Sequence, residues 1–74
     1  MKSPQFAFGR AVRRLRVKQG LSQERFAQLA KVDRTYMSEI ERGVTNISLA
    51  MAERIARALG ILVSELLAES EQEK

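Results

Sequence analysis

Phe8, Ala11, Val12 and Leu15 recur three and four positions apart near the start of the chain. That spacing stacks side chains on one face of an α-helix. It predicts a first helix from about Gln5 to Gln19, ended by Gly20. Gly9 falls inside it, where glycine costs up to about 1 kcal/mol against alanine. The apolar positions then regroup. Phe26, Ala27, Leu29 and Ala30 supply the apolar side of a short second helix, capped by Ser22 and opened by Gln23, Glu24 and Arg25. Met37 and Ile40, three apart, bury one face of a third helix. Asp33 caps it, since its carboxylate can accept from the amide of Thr35 or Tyr36, and Gly43 ends it. Ser48 caps a fourth helix that runs to about Leu59, with Ala52, Ile55, Ala56 and Leu59 inside and Gly60 after it. A short fifth helix covers about Val63 to Ala68. Residues 69–74 hold too little apolar content to be held down. The expected organisation is a flexible N-terminus over 1–4, one all-α domain of five helices over 5–68, and a flexible acidic tail over 69–74.

With 74 residues, one domain is the ceiling. A domain of this size buries only about 60% of its unfolded surface, so a partner subunit would help it. The chain has no cysteine, which removes disulfides and thiolate metal sites. It has no histidine either, so the commonest general base is missing. No glycine-rich phosphate loop and no clustered carboxylates stand in for them. No catalysis, cofactor, metal or small-molecule ligand is expected. The N-terminus lacks the apolar run of a signal peptide, and no stretch approaches the roughly 20 apolar residues of a membrane span. The expected location is the cytoplasm, with no membrane partner.

Net charge is +4 and the isoelectric point about 10.1, but the distribution says more than the sum. From Met1 to Gln23 stand Lys2, Arg10, Arg13, Arg14, Arg16 and Lys18, with no acid among them. From Glu65 onwards, Glu65, Glu69, Glu71 and Glu73 face only Lys74. One end of the chain favours polyanions and the other does not.

The stretch from Leu21 to Gly43, LSQERFAQLAKVDRTYMSEIERG, reads as two short helices joined by a tight turn. Polar side chains open the second of them, the geometry that puts a helix end into the major groove of DNA. This stretch resembles the helix-turn-helix of the lambda-repressor-like (Xre-type) DNA-binding family. The matching residues are Gln23, Ala27, Val32, Met37, Ile40 and Glu41-Arg42-Gly43, and the resemblance runs from about Phe8 to Leu67. Within the family, Asp33-Arg34-Thr35-Tyr36 followed by Asn46-Ile47-Ser48 most resembles the controller proteins of restriction–modification systems. The resemblance implies a compact five-helix domain that binds double-stranded DNA as a homodimer and regulates transcription. Two recognition helices would enter successive major grooves about 34 Å apart on a near-palindromic operator. It also implies control of the chain's own gene and of a neighbouring restriction enzyme, acting on RNA polymerase by blocking or touching it. An antitoxin or phage-type repressor would bind DNA in the same way. A small protein-interaction module would not bind it at all.

The resemblance also assigns roles. Arg34 and Thr35 match positions that read base edges. An arginine fork fits guanine O6 and N7, and a threonine can donate to a base or set its methyl against thymine. Glu39 matches another groove-facing position, where it would accept from a cytosine amino group or orient Arg34; as a plain surface acid it would only lower non-specific affinity. Ser38 lies on the same side. Candidate contacts to the DNA backbone are Gln23, Lys31, Asp33, Tyr36, Asn46 and Ser48. In the family the position of Gln23 clamps a phosphate, aided by the amides of a helix N-terminus. Asn46 and the amides near Ser48 would clamp a second, and such contacts set register without reading sequence. Tyr36 would reach phosphate or thymine, or else shield the core edge.

Other residues read as structural or as departures. Arg16 and Glu41 match a family pair joining helix one to the end of helix three. Arg10, Arg13, Arg14 and Lys18 make a mostly solvated face, with one or two touching phosphate. Lys31 stands where the family often has glycine, at about 1 kcal/mol of strain if φ is positive. Either a phosphate contact offsets that or the turn differs. Ala52 is smaller than the family residue, a gap for Met51 to fill by flexing. Leu62 is an extra leucine at the start of helix five, and Leu62 with Leu67 is expected to form a two-fold dimer contact, against simple core packing.

Overall fold

Each of the first four helices starts at a side chain that accepts an otherwise unpaired amide. Among the described residues, 3–73 of the computed structural model, there are five helices and no strand: α1 (Pro4–Lys18), α2 (Gln23–Ala30), α3 (Arg34–Arg42), α4 (Leu49–Leu59) and α5 (Val63–Glu71). Ser3 Oγ accepts from the Phe6 amide (3.1 Å), Ser22 Oγ from Arg25 (3.0 Å), and Ser48 Oγ from Met51 (3.0 Å). Asp33 Oδ1 accepts from Thr35 (3.1 Å). Leu62 has no such oxygen. Glu65 supplies half a capping box instead, its carboxylate accepting from the Leu62 amide at 2.8 Å.

The five helices close on one core. Val12, Phe26, Met37, Ile40, Ile55 and Leu66 are its largest fully buried side chains, and every helix contributes at least one. The expected inner faces hold for α1, α3 and α4. In α2 only Phe26, Ala27 and Ala30 are buried, while Leu29 points outward. A helix of eight residues has room for one narrow buried stripe, and Phe26 fills it.

Gly9 is not the weak point that its helix propensity implies. A Cβ there would lie 2.2 Å from the Ile40 carbonyl oxygen and 2.6 Å from that of Glu41. The missing side chain lets α1 cross directly over the C-terminal end of α3. Gly43, at φ +74°, ends α3 against the same helix, with Phe6 Cα only 2.5 Å from where its Cβ would be. The Arg16–Glu41 pair sits on the same α1–α3 contact, with Nε to Oε2 at 2.7 Å and Nη2 to Oε1 at 3.0 Å, both side chains almost wholly buried.

Two boundaries differ from expectation. Ser3 and Pro4 belong to the start of α1, because Ser3 is its cap and proline suits a first helical position. At the other end α5 continues past Ala68 to Glu71, so residues 69–73 are placed against α1 and do not form a separate tail. The reason is charge, not apolar content. Arg14 donates to Glu69 Oε1 (2.9 Å) and Glu73 Oε2 (2.8 Å), and Arg10 pairs with Glu73 at 3.7 Å. Glu73 first, then Glu69, raises the Arg14 guanidinium above its ordinary pKa. Ser70 is buried between them in sequence. Met1, Lys2 and Lys74, the remaining ends of the two expected flexible segments, lie outside the described residues.

The turn after α2 keeps the left-handed backbone despite its side chain. Lys31 has φ 60° and ψ 44°, and is the one non-glycine residue at positive φ among those described. The Val32 amide reaches back to Ala27 O at 2.9 Å, as Val44 does to Glu39 after Gly43 and Ile61 to Ala56 after Gly60. Lys31→Gly should therefore raise stability by up to about 1 kcal/mol, less the entropy a glycine adds to the unfolded chain. Gly9→Ala should do the opposite and lower stability by about 1–3 kcal/mol despite its better helix propensity. Urea denaturation midpoints of the two variants check both signs.

Candidate nucleic-acid interface

Met37, Ile40 and Glu41 turn one side of α3 into the core. With 3.6 residues per turn, Thr35 and Glu39 then point directly away from the core, with Arg42 and Ser38 beside them and Arg34 nearer the edge of that face. Arg34, Thr35 and Arg42 are exposed and Ser38 and Glu39 half-buried. The four expected base readers thus share one face of one helix. Arg34 and Thr35 occupy its first turn, the part of a recognition helix that reaches base edges. The Thr35 amide is already used by Asp33, which leaves its hydroxyl and methyl outward.

Asp33 and Tyr36 are placed differently from the other expected backbone contacts. The Asp33 carboxylate has no hydrogen to give a phosphate, and its observed work is the α3 cap. Tyr36 is half-buried and packs against the core, so its ring shields the core edge. Gln23, at the first position of α2, is turned inward. Its Nε2 donates to Glu41 Oε1 at 3.1 Å, which joins it to the Arg16–Glu41 pair. A carboxylate only accepts, so this contact fixes the amide group with its nitrogen toward Glu41 and leaves one N–H uncommitted.

On the far side of α3, Asn46 Oδ1 accepts from Gln5 Nε2. The acceptor end of Asn46 is thereby occupied, and its NH2 remains for an anion. Ser48 accepts from Met51 and keeps its hydroxyl hydrogen. Gln23 and the Asn46–Ser48 pair therefore flank the α3 face with donors at the N-termini of α2 and α4, where amide dipoles also favour negative charge. Lys31 is exposed in the turn before α3.

Several contributors were not legible from the sequence. Arg54 of α4 donates from Nε to Ala30 O at 3.2 Å and from Nη2 to Lys31 O, gripping the C-terminal end of α2 at the turn. Gln19 Nε2 donates to Leu59 O at 2.8 Å, tying the end of α1 to that of α4. These pairs lie 23 to 40 positions apart, and no spacing rule joins them.

Leu62 and Leu67 are both exposed on the start and body of α5. Leu62 is 67% exposed at the start of α5, while Leu67, 40% exposed, lines a groove of about 850 Å³ with Phe8, Ile47, Leu49 and Ala52. Leu49 is 72% exposed beside it. The gap left by Ala52 is part of this groove and is not filled by Met51, which packs against the core elsewhere.

The chain is similar to known proteins in sequence and in fold. The control protein C.MunI of Mycoplasma sp is 45% identical over 74 residues, covering 99% of this chain and 100% of that protein. The crystal structure of the restriction–modification controller protein C.AhdI from Aeromonas hydrophila superposes with a TM-score of 0.81 at 44% identity, over 84% of this chain and 94% of that one. The controller protein C.Esp1396I, solved as a tetramer in complex with its natural 35 base-pair operator, gives 0.82 at 26% identity over 95% and 96%. A helix-turn-helix family model (HTH_3) matches residues 12–66, which contain α2, α3 and the turn between them. The chain belongs to this helix-turn-helix family.

Proposed function

We propose that this chain is a sequence-specific, double-stranded DNA-binding transcription regulator of the controller type, acting as a homodimer on a near-palindromic operator. The observation that carries this is the face of α3. Arg34, Thr35, Ser38 and Glu39 project from one side of a helix whose other side is locked into the core. Donors at Gln23 and at Asn46 and Ser48 stand to either side of it. A single α3 spans about nine residues, roughly 13 Å, and so reads only one half-site. Two copies with recognition helices one DNA turn apart complete the operator. Arg34 would take the bidentate contact to guanine, worth about 1–3 kcal/mol of discrimination. Thr35, Ser38 and Glu39 would refine the choice, and the flanking donors, with Lys31, would hold phosphates.

The role is occupancy without catalysis. Bound dimers block RNA polymerase or touch it from upstream, in the cytoplasm where the template lies. Among the described residues no helix is long and apolar enough to cross a membrane. C.MunI supports the controller reading by its likeness along the whole chain, and C.Esp1396I, a tetramer on its operator, supports binding by more than one copy. The second copy is expected on α5, through Leu62 and Leu67, with the groove beside Leu49 as the larger apolar area.

Selection from a random duplex library tests the reading: a two-fold symmetric motif is expected, and absence of enrichment would remove sequence-specific recognition. Arg34→Ala should reduce the preference for the selected site over random DNA by about 10- to 100-fold. Competition binding checks this, and a retained preference would exclude Arg34 as a reader. Leu67→Glu, alone and with Leu62→Glu, should shift sedimentation toward the monomer. An unchanged profile for the double variant would place the dimer contact elsewhere.

A further inference from the structure

The geometry points to a phosphate seat made by Arg13 and Arg42, with the uncommitted N–H of Gln23 in the same concavity. It rests on the DNA-binding reading above and adds a binding subsite to it. Arg13 of α1 and Arg42 of α3 line one polar concavity of about 240 Å³, together with Arg16, Gln23 and Glu41. Glu41 is its one acid, and the bidentate contact from Arg16 already neutralises it. The concavity therefore keeps two unbalanced positive charges.

The pattern of arginine partners isolates the same two residues. Arg10 and Arg14 are paired with Glu69 and Glu73, Arg16 with Glu41, and Arg57 with Glu53. Arg25 meets Gln28, and Arg54 holds carbonyls of the turn. Among the described residues, the guanidiniums without a partner are those of Arg13, Arg34 and Arg42. Arg34 and Arg42 stand at opposite ends of α3, eight positions and roughly 12 Å apart along its axis and about 80° apart around it. Arg34 opens the groove-facing side, and Arg42 closes it where α3 meets α1. Bringing two uncompensated cations to one concavity is unfavourable unless an anion completes it. The anion that lies along the groove rim of a DNA-bound helix is a backbone phosphodiester. Two forked guanidiniums and one amide N–H match its unbridged oxygens.

The test is operator binding as a function of salt, with Arg13→Gln, Arg42→Gln and the double variant. Each single variant should weaken binding about three- to tenfold near 0.15 M salt, by the same factor on operator and on random duplex. Each should also lower the slope of log K against log salt by up to about 0.9, the value for one phosphate. Because both arginines serve one phosphate, the double variant should lose little more slope than either single one. Arg13→Lys and Arg42→Lys keep the charge and should retain most of the slope. Both positions are exposed, so thermal midpoints should not move. Unchanged affinity and slope in the double variant, while the parent protein binds steeply in salt, would overturn the seat alone. A slope loss of two contacts in the double variant would overturn the shared phosphate. Failure of the parent protein to bind any duplex would overturn the DNA-binding reading, and the seat with it.

Discussion

The Arg16–Glu41 ion pair is the contact on which the rest of the molecule depends. It lies inside the α1–α3 crossing, and its two side chains are almost wholly out of water. Burying a charge costs several kcal/mol, so such a pair persists only when nearly every hydrogen-bonding atom is used. Here they are used. Arg16 gives Nε and Nη2 to the carboxylate and Nη1 to the Leu21 carbonyl at 2.8 Å, and Glu41 also receives Gln23. Among the described residues no buried side-chain nitrogen or oxygen is left without a partner. One ion pair thus fixes four points at once: the body of α1, the loop before α2, the first residue of α2 and the end of α3. An apolar replacement of similar size could pack as stably, but it could not orient Gln23 or hold the Leu21 carbonyl.

From that hub the recognition surface follows by rigid connection. Gly9 lets α1 lie on the last turn of α3, and Gly43 then releases the chain toward the α3–α4 loop. Arg54 grips the other end of the motif, at the carbonyls of Ala30 and Lys31. The α2–α3 turn is therefore held from α4 while the end of α3 is held from α1. Lys31 keeps a backbone shape that its side chain opposes, because the fold around it determines that shape. Strain that persists in a turn beside a recognition helix needs such external support.

The helices were legible in the sequence because their signals are local. Three side-chain caps, Ser22, Asp33 and Ser48, and three terminal glycines mark most ends within a residue or two, and apolar spacing marks the inner faces of α1, α3 and α4. The outward face of α3 followed from the same periodicity, since Met37 and Ile40 settle which side is free. What stayed hidden depends on distant partners. Gly9 reads as a defect until α3 is laid against it. The acidic end reads as loose until Arg10 and Arg14 are placed beside Glu69 and Glu73. Arg13, Arg14 and Arg42 are alike as letters. Only the packing of α5 on one side of α1 and α3 on the other gives Arg14 two carboxylates and Arg13 none.

That division of charge resolves the contrast between the basic first third of the chain and its acidic end. The ends do not act as separate regions, because the last turn of α5 folds back and neutralises Arg10 and Arg14 on the side of α1 away from α3. Among the described arginines, those left without any partner are Arg34, Arg42 and Arg13. Pairing the arginines off the recognition side removes competing seats for a polyanion. Leaving these three without a partner adds to the positive field at the two ends of α3. A uniformly basic surface of the same net charge would bind DNA in many orientations. Most of those would keep α3 out of the groove, where base contacts alone distinguish one sequence from another.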